Sequence, residues 1–517
     1  MIRNLTIGTA GGLGVAGAIY YAQKQQQQQH RVNELAAATA KNIAAKRPPK
    51  PRWELPPHVQ YLLIGGGAPT YGAYRAIKAA DPKAKVLIVG EEDHLPYMRS
   101  ALNKELWQGN TLNEKLTFKQ WNGRERSIMF EHPEYYTTLD ELKKPEGRGV
   151  AYCGGLKAEQ VDPKNSVVRF ADGSEVKYDR CMLSLESVVK RHPVLSKVPG
   201  IERFVVEFNT IEDFKSLQES ALRSGSIAVI GGDTLASELA INILDFAYRA
   251  NPKLKVIQIF PELGNMSSLL PEYLAKWLSR QLSAAGVTVI SGQDIVSAEV
   301  VDNKQVRLKL TSGQEHLVDR IAVASGPVPN IEIARKSGLE VDDKSGGVVA
   351  NAELETRRNL FVAGDGCSFF DQRLGRRRFE GHEHGVLTGR IAGKNMTGAQ
   401  KPYGLQSLMW SDVGSIVSFE GVGLLNPKLE TFSVFFPESP EEQPDFNGRI
   451  TKGVVFYKND KGIVVGVLLC NIFGRINDAR KLISEEKPLD LKEVAKVFYE
   501  RGPTQEELES ILADEDK

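Results

Sequence analysis

The chain has little cysteine and almost no net charge. Four cysteines, Cys153, Cys181, Cys367 and Cys470, are spread through 517 residues. No CxxC or CxxxxC pair exists and no Cys/His cluster has metal-ligand spacing, so a redox dithiol and a zinc module are both excluded. Scattered buried thiols are the natural reading. The formal net charge is +1, so global charge argues for neither nucleic acid nor an acidic partner. Local charge is less even: Arg373, Arg376, Arg377 and Arg378 crowd one short segment. That cluster reads as a solvated face, with a phosphate or nucleic-acid contact as the alternative. Long apolar runs are absent except at the amino terminus. Leu5 to Ala22 carries no charge, Arg3 precedes it, Lys24 follows it and the first acid is Glu34. About 18–20 apolar residues are enough to cross a bilayer core. Residues 1–30 therefore read as a targeting and anchor segment, and 31–57 as a polar linker.

What is present is two strand–glycine–helix turns. The first runs Tyr61-Leu62-Leu63-Ile64-Gly65-Gly66-Gly67-Ala68-Pro69. Gly65 makes the tight turn, and Gly67, without a side chain, lets backbone approach a phosphate lying on the helix N-terminus. Thr70 takes the third position, where Gly or Ala is usual. A second strand, Val86 to Val89, leads to Glu91, placed to accept ribose hydroxyls. The second turn, Ile230-Gly231-Gly232-Asp233-Thr234-Leu235-Ala236, keeps its frame, but Asp233 stands where a glycine should be. A carboxylate there repels a pyrophosphate and obstructs its approach. Its partner strand, Leu254 to Phe260, leads to Glu262.

Hairpins are expected at Val167–Tyr178 around Asp172-Gly173 and at Val306–Val318 around Ser312-Gly313. Asn359 to Gly366 reads as a buried strand ending in Ala363-Gly364-Asp365, a pattern whose carboxylate suits a ribityl chain. Beyond residue 405 come strands at Ile416–Val422, Thr431–Phe436, Gly453–Tyr457 and Ile463–Leu469, then a helix from Asn477 to Ser484. The expected fold class is α/β with two Rossmann-like dinucleotide-binding domains and an α+β carboxyl-terminal domain. The FAD-type domain (58–187 and 327–404) is discontinuous, the NAD-type domain (188–326) is inserted in it, and 405–517 forms the third.

Several rarer strings narrow this further. Leu95-Pro96-Tyr97-Met98-Arg99, Lys104-Glu105-Leu106-Trp107, Phe118-Lys119-Gln120-Trp121-Asn122-Gly123, Leu270-Pro271-Glu272-Tyr273-Leu274, Leu374-Gly375-Arg376-Arg377-Arg378 and Trp410-Ser411-Asp412 resemble the apoptosis-inducing factors, a family of mitochondrial flavoproteins. The resemblance extends from about Tyr61 to Phe498. It implies a glutathione-reductase-like fold with FAD and NAD(H), slow NADH oxidation, and NADH-linked dimerisation. It also implies an inner-membrane anchor with the body in the intermembrane space, an import oxidoreductase as partner in respiratory-chain biogenesis, and a DNA-binding role in the nucleus during cell death.

Carried over position by position, the resemblance gives FAD to Gly65, Gly66, Gly67, Ala68, Pro69, Glu91, Arg99, Lys104, Ala158, Asp365, His382 and Trp410. It gives NAD to Trp121, Leu235, Glu238, Glu262, Gly326, Glu380 and Glu420, with Lys104 and Glu238 as the catalytic pair. The chain departs from the family at Asp233, Ala236, Ser268, Gly381 and Gly474, and at Asn209, where an arginine is usual. Cys181-Met182-Leu183-Ser184-Leu185-Glu186 also lacks the family's Ala-Thr-Gly turn, which usually crosses near the flavin dinucleotide. Two readings stay open: an FAD enzyme taking hydride from NADH, or an FAD-bearing, membrane-tethered scaffold whose nicotinamide site has decayed.

Overall fold

Strand His58–Ile64 buries Leu62 and Leu63 completely, and the segments beside them, Leu87–Val89 and Cys181–Leu183, are apolar and buried. Continuous apolar strands of this kind belong in a parallel sheet covered on both faces. The computed structural model places it so. It describes residues 52–120, 122–436, 452–488 and Phe498. By internal contacts the chain divides into a large unit, Glu54–Phe170 with Glu175–Lys517, and a small one, Met1–Trp53 with Ala171–Ser174. In the small unit Asp172 accepts from Ser174 N at 2.9 Å, an Asx-type turn. All elements below belong to the large unit.

The first sheet has the order Glu355–Arg357, Leu360–Ala363, Glu175–Ser184, His58–Ile64, Lys85–Val89, Gly149–Cys153. Leu360–Ala363 pairs in parallel with Cys181–Ser184, so chain that follows the second sheet returns to complete the first. The second sheet is wholly parallel: Val205–Glu207, Arg320–Val323, Ser226–Ile230, Lys255–Phe260, Thr288–Ser291. Both hairpins form, as Val167–Phe170 with Glu175–Ser184 and as Gln305–Leu310 with Glu315–Val318. The third large sheet is antiparallel, ordered Leu408–Val413, Val417–Gly423, Val464–Cys470, Lys452–Lys458, Glu430–Phe436, and helix Ile476–Glu485 packs against it. Its first strand, Leu408–Val413, is absent from the sequence reading, because its buried face includes Ser411 between Met409 and Val413.

Helices Ala68–Ala80 and His382–Met396 meet backbone to backbone. A methyl group on Gly389 would lie 1.9 Å from Pro69 O, one on Gly72 2.2 Å from Val386 O, and one on Gly393 2.5 Å from Ala73 O. Gly385 faces Ala68 and Gly393 faces Ala73, so the two helices run in the same direction. Both N-termini therefore end together at the carboxyl edge of the first sheet, where a dinucleotide would lie.

This contact yields a stability prediction. Gly389→Ala should cost about 2–3 kcal/mol through overpacking against immovable backbone, more than the roughly 1 kcal/mol that alanine returns in helix propensity. Gly404→Ala, with nothing within 4 Å of the added group, should stay within about 0.5 kcal/mol of the parent. Urea unfolding of the two variants checks the pair, and equal loss in both would refute the close-contact account.

Candidate functional site

The first turn is built as its glycines require. Gly65 adopts φ +105° and its N–H donates to Val89 O at 2.8 Å. Gly67 is the N-cap of helix Ala68–Ala80, and Pro69 occupies the first helical turn, where no N–H is missed. Thr70, the unusual third residue, is fully buried and its hydroxyl donates to Gly65 O at 2.7 Å. The threonine ties the turn from within rather than loosening it.

Glu91 stands at the tip of strand Lys85–Val89, well exposed, with Lys157 Nζ 3.8 Å away. Ala158 opens the strand just beyond that lysine. Arg99 does not stand free. Its Nε and Nη2 donate to Glu186 Oε2 at 3.2 and 3.1 Å, Nη2 also to Glu92 Oε1 at 2.8 Å, and Nη1 to Tyr97 Oη at 2.9 Å and to Asn209 O. Glu186 reaches into the turn itself: a methyl group on Gly67 would lie 2.0 Å from its Oε1 and 2.6 Å from its Oε2. The frame thus has the glycine turn, helix N-terminus and flanking acid that a dinucleotide needs, and Glu186 is a carboxylate standing in it.

A second cluster joins three parts of the fold. Lys104 Nζ lies 3.6 Å from Glu238 Oε1 and 3.8 Å from the ring centroid of Trp410. Lys104 and Glu238 are buried, whereas Trp410 is 40% exposed and covers the ammonium from the solvent side. Glu238 Oε2 accepts from Asn103 Nδ2, and Oε1 accepts from Asp412 N at 3.1 Å. Burial raises the Glu238 carboxyl to about 7, with Lys104 pulling the other way. Asn103 and the Asp412 amide were not among the residues singled out by sequence. The first adjoins Lys104 in the chain, and the second is a backbone group with no side-chain signature.

Asp365 ends strand Leu360–Ala363 as expected and accepts the N–H groups of Ser187 at 3.3 Å and Gly381 at 3.2 Å. Burial, then Glu380 and Glu186, raise its carboxyl to about 7. Glu380 pairs with Arg378 at 2.8 Å. His382 opens the second helix, its ring stacked on Phe130 at 5.9 Å. Burial, then Lys104 and Arg126, lower it to about 4, so it is neutral at physiological pH.

The second turn repeats the first up to its acid. Gly231 adopts φ +131° and donates to Ile259 O at 2.9 Å. Asp233 is the N-cap of helix Thr234–Ala250, and its Oδ1 accepts from Ser268 Oγ at 2.7 Å. A methyl group on Gly326 would lie 3.1 Å from Asp233 Oδ2, so this carboxylate crosses the mouth of the turn. Leu235 is half-buried beside it and Glu262 is exposed. Glu420 faces Trp410 in register on the neighbouring strand, and burial raises its carboxyl. Trp121 and the amino-terminal segment lie outside the described residues.

The arginine cluster is divided: Arg373 and Arg376 are exposed, and Arg377 and Arg378 are half-buried. Arg376 Nη1 donates to Ala350 O and Ser368 O, Arg377 Nη2 to Gly423 O, and Arg378 to Ser345 O, Asp365 O and Glu380. Arg373 pairs with Glu486 at 3.3 Å. Arg376, Arg377 and Arg378 thus fasten backbone carbonyls. All four cysteines are free and buried, and burial pushes the Cys153 and Cys367 thiols up to about 12.

A fold of two parallel nucleotide-type sheets with their turns at one edge defines a class, and comparison with known proteins agrees. The pyridine nucleotide-disulphide oxidoreductase model matches residues 59–388, and the chain belongs to that family, whose members use FAD and NAD(H). Among its solved relatives by fold are putidaredoxin reductase in covalent complex with putidaredoxin (TM-score 0.71, 18% identity, 88% of this chain and 98% of that one) and an NAD-dependent persulfide reductase from A. fulgidus (TM-score 0.67, 19% identity, 84% and 79%). More particularly, the chain is a member of the apoptosis-inducing factor family. The model of that family's mitochondrion-associated carboxyl-terminal region matches residues 392–449 and 437–485. The chain is 41% identical over 490 residues to the putative apoptosis-inducing factor 1, mitochondrial, of Drosophila melanogaster, covering 86% of this chain and 66% of that protein. It is 34% identical over 442 residues to the apoptosis-inducing factor 1, mitochondrial, of Dictyostelium discoideum, covering 83% and 79%.

The Lys104–Glu238 pair gives the next prediction. Glu238 has a raised pKa in the fold, so its contribution to stability is full below the unfolded carboxylate range and declines as pH climbs through about 7. Lys104→Met removes the compensating cation and steepens that decline. Chemical denaturation should show a loss of about 3–5 kcal/mol at pH 8.5 and a clearly smaller one at pH 5.5. A pH-independent loss would remove Glu238 from the explanation, and the double variant Lys104→Met with Glu238→Gln should flatten the profile.

Proposed function

We propose that this chain is a mitochondrial FAD-dependent NADH oxidoreductase of the apoptosis-inducing factor type, with Lys104 and Glu238 as its working pair. The observation that carries the reading is the buried junction of Lys104, Glu238 and Asn103, covered by the partly exposed Trp410, at the meeting of elements that flank both glycine turns. Gly65, Gly66, Gly67, Ala68, Pro69, Glu91, Ala158 and Asp365 would hold FAD, with Arg99, His382 and Trp410 flanking it. Leu235, Glu238, Glu262, Gly326, Glu380, Glu420 and Trp121 would meet NADH. When bound, the flavin supplies the acceptor for the hydride of NADH. Glu238 fixes the Lys104 ammonium, Trp410 excludes water from it, and the Glu238 carboxyl, at about 7, can hold or release a proton at Oε1 near neutral pH. Asp365, between two backbone N–H groups, offers its remaining acceptor capacity to hydroxyls.

The names of the relatives and the acid-free amino-terminal stretch support a mitochondrial site of action, with anchoring at the inner membrane and a body in the intermembrane space. Among the described residues no helix is long and apolar enough to cross a membrane. The family resemblance extends the proposal to an import oxidoreductase partner, respiratory-chain biogenesis, NADH-linked dimerisation and a nuclear role in cell death. Of the arginines in that short segment, Arg376 gives Nη1 to two carbonyls and Arg378 is engaged with carbonyls and Glu380.

Anaerobic titration of FAD-loaded protein with NADH tests the activity. Flavin bleaching with a new long-wavelength band is expected. Asp233→Gly should tighten NADH about tenfold, equivalent to about 1.4 kcal/mol, by removing a carboxylate from the pyrophosphate path. A spectrum unchanged at millimolar NADH in both proteins would defeat the oxidoreductase reading.

A further inference from the structure

Glu186 occupies the place where the first turn would receive a phosphate. A methyl group on Gly67 would sit 2.0 and 2.6 Å from its two carboxylate oxygens, against the N-terminus of helix Ala68–Ala80. Arg99, a flavin-side cation by family position, gives Nε and Nη2 to the same carboxylate at 3.2 and 3.1 Å. A helix N-terminus and a guanidinium fork are both suited to a diphosphate. In this chain the guanidinium is already engaged by a residue of the protein, whose carboxylate also lies against Gly67 at the helix N-terminus. We propose that Glu186 is an internal stand-in for the flavin diphosphate, and that FAD binds only by displacing its carboxylate from Gly67 and taking over Arg99.

The backbone there cannot give way. Leu185 N donates to Ala363 O at 3.0 Å, Leu185 O accepts from Gly366 N at 2.8 Å, and Glu186 O accepts from Asn330 N at 3.1 Å. Displacement is therefore a side-chain rotation. The Glu186 side chain is 24% exposed, so a route to solvent exists. Like-charge repulsion makes the two occupants exclusive, because a diphosphate and a carboxylate cannot share one desolvated cradle. Asp365 and Glu380 add to the negative charge facing that cradle, Asp365 through its contact with Ser187 N and Glu380 through Ser187 Oγ at 3.4 Å. The consequence is a flavoprotein that holds its cofactor loosely and is ordered at the cradle without it.

The proposal rests on the FAD reading, and the test separates the two. Full-length wild type, Glu186→Ala, Glu186→Gln and Arg99→Met are purified, their flavin content is measured as isolated, and FAD is titrated by flavin fluorescence and by thermal shift. Glu186→Ala should bind FAD at least tenfold more tightly than wild type, Glu186→Gln should fall between them, and Arg99→Met should bind more weakly. Equal affinity of wild type and Glu186→Ala, with full flavin content in both, would overturn the proposal and leave the FAD reading intact. Weaker binding by Glu186→Ala would also overturn it, since Glu186 would then be positioning Arg99 for the cofactor. If no variant binds FAD while all melt cooperatively, the FAD reading falls and the proposal with it.

Discussion

The contact on which the site depends is the one between helices Ala68–Ala80 and His382–Met396, made through glycine. With no side chain between them at Gly72, Gly389 and Gly393, the axes approach until backbone meets backbone. That closeness sets both helix N-termini at one point on the carboxyl edge of the first sheet. Each brings unpaired N–H groups and partial positive charge, so together they form a stronger anion site than either alone. The Gly364 turn is locked into the same point, since a methyl group there would lie 2.7 Å from Pro69 Cγ. Asp365 is thereby delivered beside the phosphate turn although it lies far along the chain.

Both glycine turns in this protein have acquired a carboxylate of their own. Asp233 spans the mouth of the second turn and Glu186 fills the first. The physical logic is the same in each case. The partial positive charge of a helix N-terminus favours an anion beside it, although neither side chain caps its helix by a hydrogen bond. The two acids differ in their supports. Asp233 is held by a single serine hydroxyl, whereas Glu186 is held by a guanidinium that is itself ringed by Glu92, Tyr97 and the Asn209 carbonyl. The internal ligand at the first turn is the better anchored, though the sequence makes that turn look the more intact.

That contrast marks the limit of what could be read from the chain alone. Strands, glycine turns and hairpins are local, so Gly65, Gly231, Asp172-Gly173 and Ser312-Gly313 announce themselves by spacing. The loss of the Ala-Thr-Gly turn within Cys181 to Glu186 was also legible, but its consequence was not. Whether Glu186 points at Gly67 depends on parallel pairing of Glu175–Ser184 with His58–Ile64, a long-range register that composition does not encode. The partners of the arginines were hidden for the same reason. The arginines' charge is visible, but the carbonyls of Ser345, Ala350, Ser368 and Gly423 that bind them come from distant segments. Strand Leu408–Val413 was hidden because a serine sits on its buried face.

The Lys104–Glu238 pair explains why three sheets must assemble for the site to exist. Lys104 comes from the segment after the first glycine turn, Glu238 from the helix of the second, and Trp410 and the Asp412 amide from the first strand of the third sheet. A buried carboxylate without its cation, or a buried ammonium without its carboxylate, is far costlier than the intact pair is beneficial. The pair adds a penalty for separation to the shared hydrophobic core in which Leu102 and Trp107, Ile241 and Leu244, and Met409 and Val413 already join the three parts. The same arrangement leaves Glu238 balanced between burial, which favours its neutral form, and Lys104, which favours its charged form. A group so balanced responds to any new charge placed beside it.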